Sequence, residues 1–100
     1  MRLEKSLELF TKGQKHLVGA VNSPVRAFKS VGGIPIFIKK AKGSKIIDVD
    51  NNEYVDFVLS YGPMILGHRN KNVEKAITKA LKKGYTFGAS TKGELKLAKM

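Results

Sequence analysis

The chain has 100 residues, 42% of them hydrophobic and 27% charged, a balance that fits one folded domain and excludes an intrinsically disordered chain. It has no cysteine and only two histidines, His16 and His68, so disulfide frameworks, thiolate metal sites and cysteine nucleophiles are excluded and no metal site is expected. Nineteen Lys and Arg against eight Asp and Glu give a formal charge of +11, and the pI of 10.0 raises the question of nucleic-acid binding. Yet only Arg2, Arg26 and Arg69 are arginine, the residue that base and phosphate forks prefer, and the lysines are spread from Lys5 to Lys99. A solvated lysine surface without a nucleic-acid partner is the expected reading, and a larger chain whose acidic part lies elsewhere would also explain the imbalance. No apolar run approaches the roughly 18 residues of a membrane span. The opening MRLEKSLELF mixes charges with leucines and is no secretory h-region. No membrane partner and a reducing, cytoplasmic compartment are expected.

The first predicted element is a helix from Arg2 to about Leu17. Leu3, Leu7 and Phe10 fall at i, i+4 and i+7, Leu9 widens the stripe, and Gly13 weakens its last third. From Gly19 to Pro35 glycines and prolines stand where neither helix nor strand can persist. Val21, Val25, Phe28 and Val31 make this stretch too apolar for a free linker, which predicts an ordered, packed loop. The period then becomes two. Strands are predicted from Ile36, over Lys45–Val49 and over Glu53–Phe57, with turns at Lys42-Gly43-Ser44 and Asp50-Asn51-Asn52. This is the pattern of a three-stranded antiparallel meander, which stands only if something covers its apolar face.

Ser60-Tyr61-Gly62-Pro63 ends the strand pattern, and Met64 to His68 reads as a short buried run. An amphipathic helix follows, capped by Asn70 or Asn72. Val73, Ala76, Ile77, Ala80 and Leu81 line its apolar side, and Gly84 stops it. Thr91 and Glu94 have capping-box spacing and open a further helix of about two turns, so the chain reads as cut rather than finished. The fold expected from these elements is an α+β segment: N-terminal helix, ordered loop, antiparallel meander and amphipathic helix, with no internal domain boundary.

Few residues are candidates for chemistry. Arg26, in the Pro/Gly-rich loop, is suited to bidentate recognition of a carboxylate or phosphate, or alternatively to pinning loop carbonyls. Tyr61 would serve either as an aromatic wall for a ligand or as a core aromatic after the third strand. His68 reads as a hydrogen-bonded structural residue before it reads as a catalyst. Asp48, Asp50, Glu53 and Asp56 alternate outward and are expected to serve strand solubility and turns; no carboxylate dyad follows from them. Thr86 to Thr91, small and polar ahead of a helix, is a conceivable anion nest. No GxxxxGK[ST], GxGxxG, HExxH or GxSxG pattern occurs.

The stretch Gly19-Ala20-Val21-Asn22-Ser23-Pro24-Val25-Arg26-Ala27-Phe28 closely resembles the N-terminal signature of the glutamate-1-semialdehyde aminomutase family, a branch of the class III, fold-type I pyridoxal-phosphate aminotransferases. The resemblance continues in order through the meander, Ser60-Tyr61-Gly62-Pro63-Met64-Ile65-Leu66-Gly67-His68, the next helix and Thr86-Phe87-Gly88-Ala89. It implies that these 100 residues form the N-terminal portion of one α/β transferase whose large cofactor domain is mostly absent. It implies an isomerase of the cytoplasm that turns glutamate 1-semialdehyde into 5-aminolevulinate for porphyrin (tetrapyrrole) synthesis. The cofactor would be pyridoxal 5'-phosphate, in the pyridoxamine form at the start of the cycle, and the assembly a homodimer. It further implies that Arg26 and Ser23 hold the substrate carboxylate and that Tyr61 lines the substrate pocket. No catalytic or cofactor-binding residue is assigned within the chain; the Schiff-base lysine would lie beyond residue 100, so this piece alone would be inactive.

The departures are specific. Ala20 stands where the family has a second glycine, and if that position needs φ > 0 the alanine strains the loop or shifts Arg26. Tyr61 stands where many members carry tryptophan, and Asn70-Lys71 follows the Gly-His step instead of histidine-proline. A related class III transaminase and a stand-alone basic α+β binding module are the alternative readings.

Overall fold

The structure, a computed structural model, describes all residues from Met1 to Met100. They fold as two compact units, Met1–Asn70 and Lys71–Met100. In the first, helix α1 spans Glu4–Gly13 and ends well short of Leu17. The reason is a close approach. Leu17 donates its N–H back to the Gly13 carbonyl at 2.8 Å, and the chain returns so that a Cβ on Gly13 would lie only 3.3 Å from that of Ala20. Two 3-10 turns follow, Val18–Ala20 and Pro24–Ala27, so the Gly19–Pro35 stretch is an ordered loop as expected. Ala20 and Pro35 are its buried members.

Strands β1 (Ile38–Lys42), β2 (Lys45–Asp48) and β3 (Glu53–Val55) form the expected antiparallel meander in the order β1-β2-β3. Lys42 pairs with Lys45 across Gly43-Ser44, and Ile46 pairs with Tyr54. The first strand starts at Ile38 rather than Ile36 because the register slips between Ile38 and Lys40, where Lys39 has no partner. Phe37 still accepts the Val49 N–H at 2.8 Å.

The acidic residues of this region are not the outward solubilising set that alternation predicts. Asp48 is fully buried. Its oxygens accept from the N–H groups of Asp50 and Asn52, the Asn52 amide and the Tyr54 hydroxyl, all at 2.8 to 2.9 Å. Asp50 reaches across to α1, where Leu3 at the N-cap position supplies no side-chain cap. The Asp50 carboxylate accepts from Lys5 N–H at 2.8 Å, Ser6 N–H at 2.9 Å and Ser6 Oγ at 2.8 Å, a cap delivered from a distant turn. Asn52 adds a bond from its amide to the Arg2 carbonyl at 2.6 Å. Glu53, by contrast, is an exposed strand residue paired with Lys45. Hydrophobic spacing shows none of this, because a buried carboxylate with every lone pair filled looks like a surface one in sequence.

The run Met64–His68 is also not buried: Ile65 is 83% and Leu66 63% exposed. Only its end is fixed. His68 and Gly43 exchange both backbone hydrogen bonds at 2.8 Å, which ties the segment after β3 to the β1–β2 hairpin. Gly67 makes that approach possible. Its φ is +73, and a Cβ there would lie 2.8 Å from the Gly43 carbonyl oxygen.

The second unit holds helices α2 (Lys71–Leu81) and α3 (Lys92–Ala98). α2 has the expected amphipathic pattern, with Val73, Ile77 and Leu81 each about half exposed along its apolar side. Gly84 ends it as predicted, at φ +92 with its N–H on the Leu81 carbonyl at 3.1 Å. At the start of α3 the Glu94 carboxylate accepts from Thr91 N–H at 3.0 Å and Thr91 Oγ1 at 2.9 Å. No helix in the chain is long and apolar enough to cross a membrane.

Two outcomes follow from these contacts. Gly67→Ala combines a left-handed φ with a clash against backbone, and chemical denaturation is expected to show a loss of about 2 kcal/mol or more. The second concerns acid. Burial, the largest influence, raises the pKa values of Asp48 and Asp50, but the hydrogen bonds each receives outweigh it and hold both below their ordinary 3.8. Groups whose folded pKa is depressed stabilise above the unfolded value and lose that contribution as pH falls through the folded one. Thermal melts should therefore weaken as pH drops below about 4, and Asp50→Asn should make that decline shallower.

Candidate functional site

The first unit contains a concave pocket of about 590 Å³. Its floor is apolar, supplied by Leu17, Ala20, Val21, the Pro35–Ile38 stretch, and Ala41 and Ile46 of the sheet. Its polar groups are Asn22, Arg26, Asp56, Ser60, Tyr61 and His68. An apolar cleft with a few convergent polar groups is the usual form of a small-molecule site.

Arg26 is placed by local backbone chemistry. Ser23 is extended at φ −148, Pro24 fixes the first helical φ, and Arg26 N–H donates to the Ser23 carbonyl at 3.0 Å. Phe28 closes the turn in the left-handed region at φ +58. The side chain of Arg26 is exposed, and its guanidinium has no hydrogen bond or ion pair within the chain. It therefore does not pin loop carbonyls, and its planar fork is open to a carboxylate or phosphate. Ser23 is half-buried and does not line the pocket; it supplies the carbonyl at the foot of the Arg26 turn. Ala20 lies in the wall with φ +59, so the position that the resemblance marks as glycine is indeed left-handed.

Tyr61 stands on the opposite part of the sequence and is 74% exposed, a wall residue rather than a core aromatic. It belongs to a single left-handed turn in which Leu59, Ser60 and Tyr61 have φ of 48, 56 and 64. Left-handed backbone costs each non-glycine residue about 1 to 2 kcal/mol. What holds the turn is Asp56, which sequence alternation misassigns to the strand surface. One of its oxygens accepts from Val58 N–H at 2.9 Å and Leu59 N–H at 3.0 Å, and the other lies 2.6 Å from His68 Nε2. The bond to His68 is the largest of the effects that lower the Asp56 pKa, followed by the Leu59 N–H, against the opposing effect of burial. His68 is thus hydrogen-bonded, as its position suggests. The signal for Asp56 was available: an aspartate two and three residues ahead of a break at Ser60-Tyr61-Gly62-Pro63 is an Asx-turn pattern.

The second unit has its own open hollow of about 460 Å³, lined mainly by Ile77, Ala80, Leu81, Tyr85 and Phe87. The stretch Thr86–Thr91 does not form an anion nest there. Glu94 already occupies the Thr91 donors, and its negative charge repels an anion.

Residues 27–99 match the family model described as aminotransferase class-III. A protein of Thermodesulfovibrio yellowstonii named glutamate-1-semialdehyde 2,1-aminomutase is 59% identical over 98% of this chain. One of Persephonella marina with the same name is 57% identical over 99% of it. Among solved structures, a transaminase with PLP bound superposes with a TM-score of 0.85 and 29% identity, covering 99% of this chain and 23% of its own. The chain likewise spans 23% of the length of both curated relatives.

Proposed function

Because the chain belongs to the class III aminotransferase family, we propose that it forms the carboxylate-recognising front of an enzyme that isomerises glutamate 1-semialdehyde to 5-aminolevulinate, feeding porphyrin synthesis. The observation that carries this reading is Arg26: an exposed guanidinium without an intrachain partner, on a pocket whose opposite wall is Tyr61. The names of the relatives at 57% and 59% identity supply the substrate. Ser23 contributes by holding the turn that aims Arg26, and Tyr61 by closing one side of the pocket. A homodimer in the cytoplasm belongs to the same reading.

The residues present do not fit the cofactor itself. No lysine lines the pocket, and its polar groups do not include a run of backbone donors at a helix start of the kind that cradles a phosphate. We therefore assign pyridoxal phosphate, the amine carrier of this family, to parts of the protein outside these 100 residues, together with the lysine that bonds it. The 100 residues are then one part of a single transferase, without the means to run the reaction by themselves. Their share is binding: an apolar floor for the carbon chain and a charged fork for its terminal carboxylate.

A transaminase that exports its amine is the second reading, favoured by the transaminase structure that this chain matches. The two differ in stoichiometry. An aminomutase converts the semialdehyde with no second acceptor, whereas a transaminase turns over only with an added 2-oxo acid. For the full-length enzyme, Arg26→Ala is expected to raise KM for the semialdehyde roughly 10- to 100-fold, the loss of about 1.5 to 3 kcal/mol of charged hydrogen bonding. Arg26→Lys should recover only part of it. An unchanged KM in Arg26→Ala would sink the carboxylate assignment.

A further inference from the structure

Asp56 and His68 border the pocket, yet they face each other rather than its interior. Their side chains are only 8% and 15% exposed. Each is also committed on a second side. Asp56 Oδ1 takes the N–H groups that enter the left-handed turn, those of Val58 and Leu59. His68 is held through its backbone to Gly43 at the tip of the β1–β2 hairpin, in both directions at 2.8 Å. A continuous chain of bonds therefore runs from the hairpin through His68 and Asp56 to the turn that carries Tyr61. The turn's internal bonds are sparse: Tyr61 N–H to the Val58 carbonyl at 2.9 Å and Gly62 N–H to the Leu59 carbonyl at 3.1 Å. These bonds set the turn's curvature but not its direction with respect to the sheet. The carboxylate–imidazole pair is what fixes that direction.

We propose that Asp56 and His68 are positioning residues that fix where Tyr61 stands on the pocket wall and thereby set the affinity for substrate. The inference rests on reading this pocket as the substrate site. Neither residue acts on the reacting atoms, since each spends its polar atoms on the other or on backbone. A precisely held wall matters because a displacement of about 1 Å in a positioning group can cost up to about 100-fold in turnover.

The test uses the full-length holoenzyme and two readouts. Amide hydrogen exchange reports the turn: in Asp56→Asn and Asp56→Ala the Val58 and Leu59 amides should exchange about tenfold faster while those of β2 stay unchanged. Steady-state kinetics report the pocket. Asp56→Ala and His68→Ala should raise KM for the semialdehyde about tenfold with kcat changed far less. His68→Gln, whose amide nitrogen reaches the place of imidazole Nε2, should restore most of the affinity. In a Tyr61→Ala background the Asp56→Ala effect on KM should vanish, a non-additivity that a role in stability alone would not produce. Unchanged exchange at Val58 and Leu59 overturns the proposal. So does an unchanged KM in Asp56→Ala when Tyr61→Ala and Arg26→Ala both raise it, and in that case the substrate reading survives. If Tyr61→Ala and Arg26→Ala both leave KM alone, the substrate reading itself falls and the proposal with it.

Discussion

The first unit is organised around the turn between β2 and β3. A three-residue strand and a helix with no cap of its own are each marginal, and Asp48, Asp50 and Asn52 join them by polar contacts instead of a large core. Asp48 shapes the turn from inside, and Asp50 uses the resulting orientation to fill the orphan donors of α1. The two fully buried side chains of the chain are Ser6 and Asp48, the helix end and the turn end of this connection. Without the turn, α1 would have unsatisfied N–H groups at its start, and the loop that packs back on Gly13 would have no fixed support.

That loop is where architecture becomes recognition. Arg26 owes its place to a proline at the start of a 3-10 turn and to a left-handed residue at its end. Tyr61 owes its place to a second left-handed turn that is tied to the hairpin by Asp56 and His68. Both pocket walls are thus short, locally strained turns carried by a sheet, which is the common arrangement of binding groups on a rigid scaffold. The chemistry is asymmetric. One wall offers an open positive fork, and the other an aromatic face.

How much of this was legible follows the kind of signal each feature emits. The meander, α2 and its Gly84 stop are periodic or turn-coded, and periodicity survives without tertiary information. The end of α1 at Gly13 depends on Ala20 returning against it, a contact between residues that no local pattern links. The buried run expected at Met64–His68 was misread because apolar composition alone does not say what covers it: Ile65 and Leu66 have little of these 100 residues against them. The carboxylates failed in the opposite direction. Alternation marks Asp48 and Asp56 as outward, yet each is buried by taking donors from a turn, and the only trace in the sequence is the turn that follows. Arg26 was singled out as a loop guanidinium with two possible roles, and the absence of any intrachain partner decides between them.

Ala20 shows how a departure from a family pattern is absorbed. A left-handed alanine costs about 1 kcal/mol relative to glycine, and at φ +59 this residue bears that cost. Its methyl group is also among the most buried atoms of the unit, with 4% of the residue exposed and α1 packed against it at Gly13. Burying one methyl group contributes about 0.8 kcal/mol. The two terms nearly cancel, so the loop keeps the left-handed geometry that glycine would have adopted freely. Arg26 still reaches the pocket by the same turn. A larger or β-branched side chain would tip the balance, because the space beside Gly13 that accepts a methyl group has no room for more. The tolerance at position 20 is therefore set by the helix it touches, not by the loop in which it sits.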